Sequence, residues 1–111
     1  MSGNKPSLFA QSVYDALGGI PAGKVTTYKE LARSIGCGSP RAVGQALRRN
    51  PDAPQVPCHR VVRTDGDLGG YQGRTRGESL ARKESLLRGE GVEFLPDGRV
   101  DLTRSGHHFG A

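Results

Sequence analysis

The chain has 111 residues, enough for one compact domain and too few for two independent cores. Sixteen Lys and Arg against eleven Asp and Glu leave a net charge of +5, with three Phe, three Tyr and no Trp, so nucleic acid is the first partner to expect. No apolar run reaches membrane-spanning length, no charged-then-apolar leader opens the chain, and Cys37 and Cys58 are too few for a disulfide framework, which together predict an intracellular, cytoplasmic protein with free thiols and no membrane partner.

Residues 1–5 are expected to be a flexible lead. From about Pro6 to Leu17 the residues Leu8, Phe9, Val13, Ala16 and Leu17 recur at helical spacing, which predicts an amphipathic helix ended by Gly18-Gly19. A turn and short extended piece over Ile20 to Val25 follow. Thr27 to Glu30 then reads as a capping box, with Thr27 as N-cap and Glu30 reaching back, opening a short helix through Ile35. Gly36-Cys37-Gly38 is a turn. Ser39-Pro40 starts another helix, with a hydroxyl cap and proline at the first position, running to about Arg49. Two short helices joined by a glycine turn, the second basic and headed by Arg41, make a helix-turn-helix pattern, and the small Ala42 and Gly44 allow close approach to a groove.

A proline-rich loop from Asn50 to Val56 leads to Pro57-Cys58-His59-Arg60-Val61-Val62. Here a thiol, an imidazole and a guanidinium stand together ahead of a β-branched pair that reads as a buried strand. A free thiol is mostly protonated at neutral pH, so a nucleophilic cysteine needs a base or a positive field beside it. Read alone, the pair Cys58-His59 is more often a small core residue with a satisfied neighbour, and it is the rest of the sequence that reverses this. Arg63 to Gly66 is a turn, and Leu68 to Gly73 is a glycine-rich loop that must approach a ligand or another piece of backbone. Glu78 to about Arg88 is a final amphipathic helix carrying Leu80, Ala81, Leu86 and Leu87, with Arg82, Lys83 and Glu84 interleaved. Val92 to Phe94 and Arg99 to Leu102, around Pro96-Asp97-Gly98, predict a terminal hairpin, and 105–111, with His107 and His108, a flexible tail. No Cys-x-x-Cys or His-x-x-x-His spacing gathers ligands, so no metal site is expected.

From about Phe9 to Glu90 the sequence resembles the O6-alkylguanine-DNA alkyltransferases, or methylated-DNA-protein-cysteine methyltransferases. The resemblance rests on the Pro57 to Val62 motif in full, with Thr27-Tyr28, Arg41-Ala42-Val43-Gly44, Arg49-Asn50-Pro51, Gly69-Gly70-Tyr71 and Glu90-Gly91 in the family's order. It covers the catalytic and DNA-binding domain and implies a mainly α fold with a small β part, a winged helix-turn-helix, over residues 6–104. It also implies a single-turnover methyltransferase that repairs O6-alkylguanine in double-stranded DNA as a monomer, without a cofactor.

Position by position, the resemblance makes Cys58 the alkyl acceptor, His59 its base through a water, Glu90 the group that orients His59, Tyr28 the donor to the leaving base and Asn50 the brace of the turn before the cysteine. Because the reacting carbon lies inside the stacked duplex, the nucleotide must be flipped out, and Arg41 matches the family's finger that fills the gap from the minor groove. Thr27, Tyr28, Ala42, Gly44, Gln45, Arg48 and Arg49 would complete the DNA contact. Tyr28, Arg60, Val61, Tyr71, Gln72 and Gly73 would form the base pocket. The stretch from Tyr71 to Lys83 is longer than in common members, and Gln72 stands where some carry serine. The short alkyltransferase-like proteins bind the same lesion and pass it to nucleotide excision repair proteins without transfer, but they usually replace the cysteine that Cys58 retains here.

Overall fold

The structure, a computed structural model, describes residues 7–50, 56–69, 78–107 and 109. The expected N-terminal lead therefore lies outside the described residues.

Ser7 caps α1 (Leu8–Leu17), its hydroxyl accepting from the Ala10 amide at 3.0 Å. The buried face is Val13, Tyr14 and Leu17, whereas Leu8, expected to face inward, is 90% exposed. At 3.6 residues per turn Leu8 falls roughly 180° from the middle of that face. Tyr14 fills the face instead, and its phenol donates to the Ala46 carbonyl at 2.8 Å.

After a turn the chain enters β1 (Thr26–Thr27) and passes directly into α2 (Tyr28–Ser34). Thr27 caps α2 as expected, accepting from the Glu30 amide at 3.1 Å. The reciprocal half of the capping box is replaced: the Glu30 carboxylate turns to Arg33, a charged donor that outcompetes a neutral amide. The turn over Gly36 leads to α3 (Pro40–Arg48), where Ser39 accepts from the Ala42 amide at 3.1 Å and Pro40 takes the first turn. Helices α1, α2 and α3 pack against one another, placing Val13, Leu17, Leu31, Val43, Ala46 and Leu47 in one core cluster.

A single 3₁₀ turn, Cys58–Arg60, runs into β2 (Val61–Val62), which pairs in parallel with β1, Thr26 opposite Val61 and Thr27 opposite Val62. Successive strand residues point to opposite faces. Val61 therefore joins the three-helix cluster, while Val62 joins a second cluster with Val25, Leu68, Leu87, Val92 and Val100. The reactive motif is thus clamped between two cores.

Helix α4 (Glu78–Gly89) buries Lys83 and Leu87, whereas Ala81 is exposed. The expected terminal hairpin is reduced to one antiparallel bridge, Phe94 with Val100, and Leu102 opens α5 (Leu102–Ser105) instead of ending a strand. The Asp101 carboxylate explains the switch: it accepts from the Thr103 and Arg104 amides, so helix capping overrides the β-branched pattern one residue past the bridge. Gly66, at φ +90°, holds this region to the body, since a side chain there would meet the Val100 carbonyl at 2.5 Å. The first residues of the expected tail are also tied in. Ser105 is buried, Gly106 bridges Val25, and the His107 amide donates to the Val25 carbonyl at 2.7 Å. No helix of the described residues is long and apolar enough to cross a membrane.

Candidate active site and nucleic-acid interface

Cys58 opens the 3₁₀ turn with only 4% of its surface exposed. Asn50, just beyond α3, donates from Nδ2 to the Val56 carbonyl at 2.7 Å and so spans the loop ahead of the cysteine. Burial pushes the thiol above its ordinary value, while a hydrogen bond with the Asn50 side chain and the nearby Lys83 charge pull the other way without cancelling it. In the folded chain the resting group is a shielded thiol whose proton must be removed when it reacts.

The means of removal lies beside it. His59 is 1% exposed, and its Nε2 lies 3.0 Å from Glu90 Oε2 just after α4. A carboxylate there fixes the tautomer, with the hydrogen on Nε2 and a lone pair on Nδ1. Nδ1 is buried and has no hydrogen-bond partner among the described residues. Burial lowers the imidazole pKa more than Glu90 raises it, so His59 is a neutral base at physiological pH. For Glu90, burial would raise the carboxyl, but hydrogen bonds from Arg60 and His59 and their charges hold it below its ordinary value.

Arg60, expected in the base pocket, has its Nε and Nη2 on both Glu90 oxygens at 3.0 and 2.8 Å, and its Nη1 donates to the Ile20 carbonyl at 2.6 Å. This bidentate pairing is the strongest geometry open to a guanidinium and leaves little of it for a base. Thr27 is 8% exposed, with its hydroxyl engaged in capping α2, and is not on the outward helix face. Val61 is fully buried, and its carbonyl accepts from Lys83 at 2.7 Å.

Lys83 is the residue that sequence reasoning passed over. Its side chain is wholly buried, donates to the Val61 and Leu68 carbonyls, and lies 6.0 Å from the centroid of the Tyr28 ring. Burial lowers its pKa to about 7, opposed by the attraction of Cys58 and Asp67. The available signal was its position: Leu80, Lys83 and Leu87 share one helix face, so a lysine there is either buried or misplaced.

Tyr28, at the start of α2, lines a groove of about 580 Å³ with Lys29, Pro40, Arg63, Thr64 and Asp65. Gly69, at φ +72°, lies against it, and a side chain there would come within 3.2 Å of the phenol oxygen. The glycine-rich loop thus starts by closing on Tyr28. Its continuation, including Tyr71, Gln72 and Gly73, lies outside the described residues.

On α3, Val43, Ala46 and Leu47 point inward, leaving Arg41, Gln45 and Arg48 exposed, with the C-cap Arg49 beside them. Ala42 and Gly44 are half-buried, and no atom outside the helix comes within 4 Å of where a side chain on Gly44 would begin. The result is a basic, low-relief surface suited to backbone phosphates.

The arrangement is a helical domain in which a buried thiol, a neutral imidazole and a carboxylate stand together near an exposed basic helix, the group types that an activated nucleophile uses. Residues 8–92 match the family model described as 6-O-methylguanine DNA methyltransferase, DNA binding domain, and the chain belongs to that family. It is 45% identical over 86 residues to a methylated-DNA–protein-cysteine methyltransferase of Methanothermobacter thermautotrophicus, covering 78% of this chain and 46% of the relative. Among solved structures it is similar to Mycobacterium tuberculosis OGT in complex with DNA, with a TM-score of 0.71, 43% identity, and 78% and 52% of the two chains covered. It is also similar to S. pombe Atl1 in complex with damaged DNA containing O6-carboxymethylguanine, with a TM-score of 0.74, 33% identity, and 93% and 97% covered. The chain spans about half the length of the first two relatives and nearly all of Atl1.

Proposed function

We propose that this chain repairs O6-alkylguanine in double-stranded DNA by moving the alkyl group to Cys58, once per molecule and with no cofactor. The observation that carries the reading is the open Nδ1 of a neutral His59, held by Glu90 directly after a buried thiol. His59 takes the thiol proton through a water. The sulfur attacks the alkyl carbon, a C–S bond forms, the C–O bond breaks, and guanine leaves with the electron pair. Tyr28 donates to the base ring as that charge develops, and Lys83 offsets the charge on sulfur during attack. Asn50 holds the cysteine turn, and Tyr71, Gln72 and Gly73 wall the pocket with the backbone at Val61.

Access requires the nucleotide to leave the stack, at a cost of a few kcal/mol. Arg41, exposed near the start of α3, fills the space it leaves from the minor groove. Gln45, Arg48 and Arg49 hold the backbone, with Ala42 and Gly44 as the floor. The protein works as a monomer inside the cell.

A duplex carrying O6-methylguanine provides the test, with mass spectrometry of the Cys58 peptide after incubation. A gain of one methyl group is expected. A second reading, recognition without transfer followed by hand-over to nucleotide excision repair proteins, is favoured by the near-complete overlap with Atl1. Tight lesion binding with an unmodified Cys58 would select it over transfer.

A further inference from the structure

We infer that Arg60 is a positioning residue for the His59 base, acting through Glu90: by holding both carboxylate oxygens it draws Glu90 away from a protonated imidazole and leaves the Nδ1 of His59 open. The inference deepens the alkyl-transfer reading and rests on it for its kinetic part. The geometry is a three-point clamp. Arg60 Nε meets Glu90 Oε1 at 3.0 Å, Nη2 meets Oε2 at 2.8 Å, and Nη1 reaches the Ile20 carbonyl at 2.6 Å. The third contact fixes the guanidinium plane against the loop after α1, so the fork cannot swing away from the carboxylate. Oε2 is the oxygen that His59 Nε2 also uses, at 3.0 Å.

Consider the carboxylate without that fork. With His59 as its main partner, Glu90 would favour the doubly protonated imidazolium, and a proton on Nδ1 would abolish the base. With the fork in place, an imidazolium would share one oxygen with a permanent cation. The other charged groups facing His59 are Lys83, which also repels a second cation, and Glu90 itself, the one attraction. Cys58 is uncharged until it reacts. Burial is the largest influence favouring the neutral ring, and Arg60 adds to it by competing for the one carboxylate that would hold a proton there. Both side chains are largely covered, 16% exposed for Arg60 and 20% for Glu90, so solvent screens the pair only in part. A lysine at this position carries the charge but cannot hold two carboxylate oxygens and a carbonyl in one plane.

The test uses the full chain with ring-labelled histidine. The His59 titration is followed by NMR, and methyl transfer to Cys58 is timed from about pH 5.5 to 8.5 in wild type, Arg60→Met and Arg60→Lys. In Arg60→Met the His59 midpoint should rise by about one pH unit, and the acid limb of the rate should move with it, giving roughly tenfold slower transfer at pH 6 but under threefold at pH 8. Arg60→Lys should shift both the same way by a smaller, resolvable amount. An unchanged His59 midpoint in the variants overturns the inference, as does a rate loss equal at every pH, the mark of a merely structural role. If Arg60→Met does not fold, the Arg60→Lys midpoint decides. If wild type transfers nothing, the alkyl-transfer reading fails while the NMR titration still tests Arg60.

Discussion

At the scale of single residues, the site is built on charges kept away from water, and pH is the natural probe. His59 and Glu90 both have folded pKa values lowered from their ordinary 6.5 and 4.5. For each, the unfolded chain binds more protons than the folded one, so stability rises with pH across those windows and is lost as pH falls. Unfolding midpoints in urea should therefore drop as pH is lowered from about 7 to 5, and again below about 4.5. His59→Gln should flatten the upper step and, because Arg60 still holds Glu90 down, change the lower one less. Lys83 calls for a different measurement. Lys83→Met removes the buried cation beside Cys58 and leaves the Val61 and Leu68 carbonyls without that donor. Haloacetamide alkylation of Cys58 should shift to higher pH in that variant, and each lost bond should cost about 1 kcal/mol in the melt. An alkylation profile identical to wild type would remove Lys83 from the account of the thiol. The Arg60 clamp does not show in the local pattern, because an arginine beside a histidine reads as substrate-facing, and Lys83 shows only through its helical spacing from Leu80 and Leu87, since a lysine between arginine and glutamate reads as solvated.

At the scale of elements, capping chemistry decided most boundaries. Ser7, Thr27, Ser39 and Asp101 each accept from an amide of the helix they open. The helix pair was legible for that reason, and the first helix from the spacing of its apolar residues, since these signals act over three or four residues. The terminal hairpin was misread where Asp101 captured the chain for a helix. Helix α3 carries the prediction that separates groove entry from pocket chemistry. Arg41 is exposed in its first turn, and among the described residues it makes no hydrogen bond or ion pair with the site's buried groups. Arg41→Ala should slow methyl transfer from duplex by about tenfold or more while changing transfer from free O6-methylguanine base less than twofold, because only the duplex must give up a stacked nucleotide. Equal losses on the two substrates would dismiss the finger assignment.

At the scale of the whole molecule, two small cores meet at a two-residue parallel pairing, and the segment after α5 closes the far side of β1. Two backbone bonds tie that segment down, one from the Val25 amide to the Ser105 carbonyl at 2.8 Å and one from the His107 amide to the Val25 carbonyl at 2.7 Å. His107→Pro deletes this donor and should lower stability by about 1 to 3 kcal/mol, on the order of 5–10 °C in the melting temperature. A melt unchanged from wild type would mean that the segment contributes nothing to closing β1.

The sequence by itself determined what neighbours in the chain can settle: helix starts, the glycine turns, the cysteine beside its histidine and the basic face of α3. Only the tertiary structure decided that Arg60 grips Glu90 from 30 residues away, that Lys83 lies buried 22 residues from the Val61 carbonyl it reaches, and that Cys58 rests as a shielded thiol. The reason is physical. Caps and periodicity follow from short-range backbone geometry, whereas the charge state of a buried group depends on which distant charges and carbonyls folding packs around it.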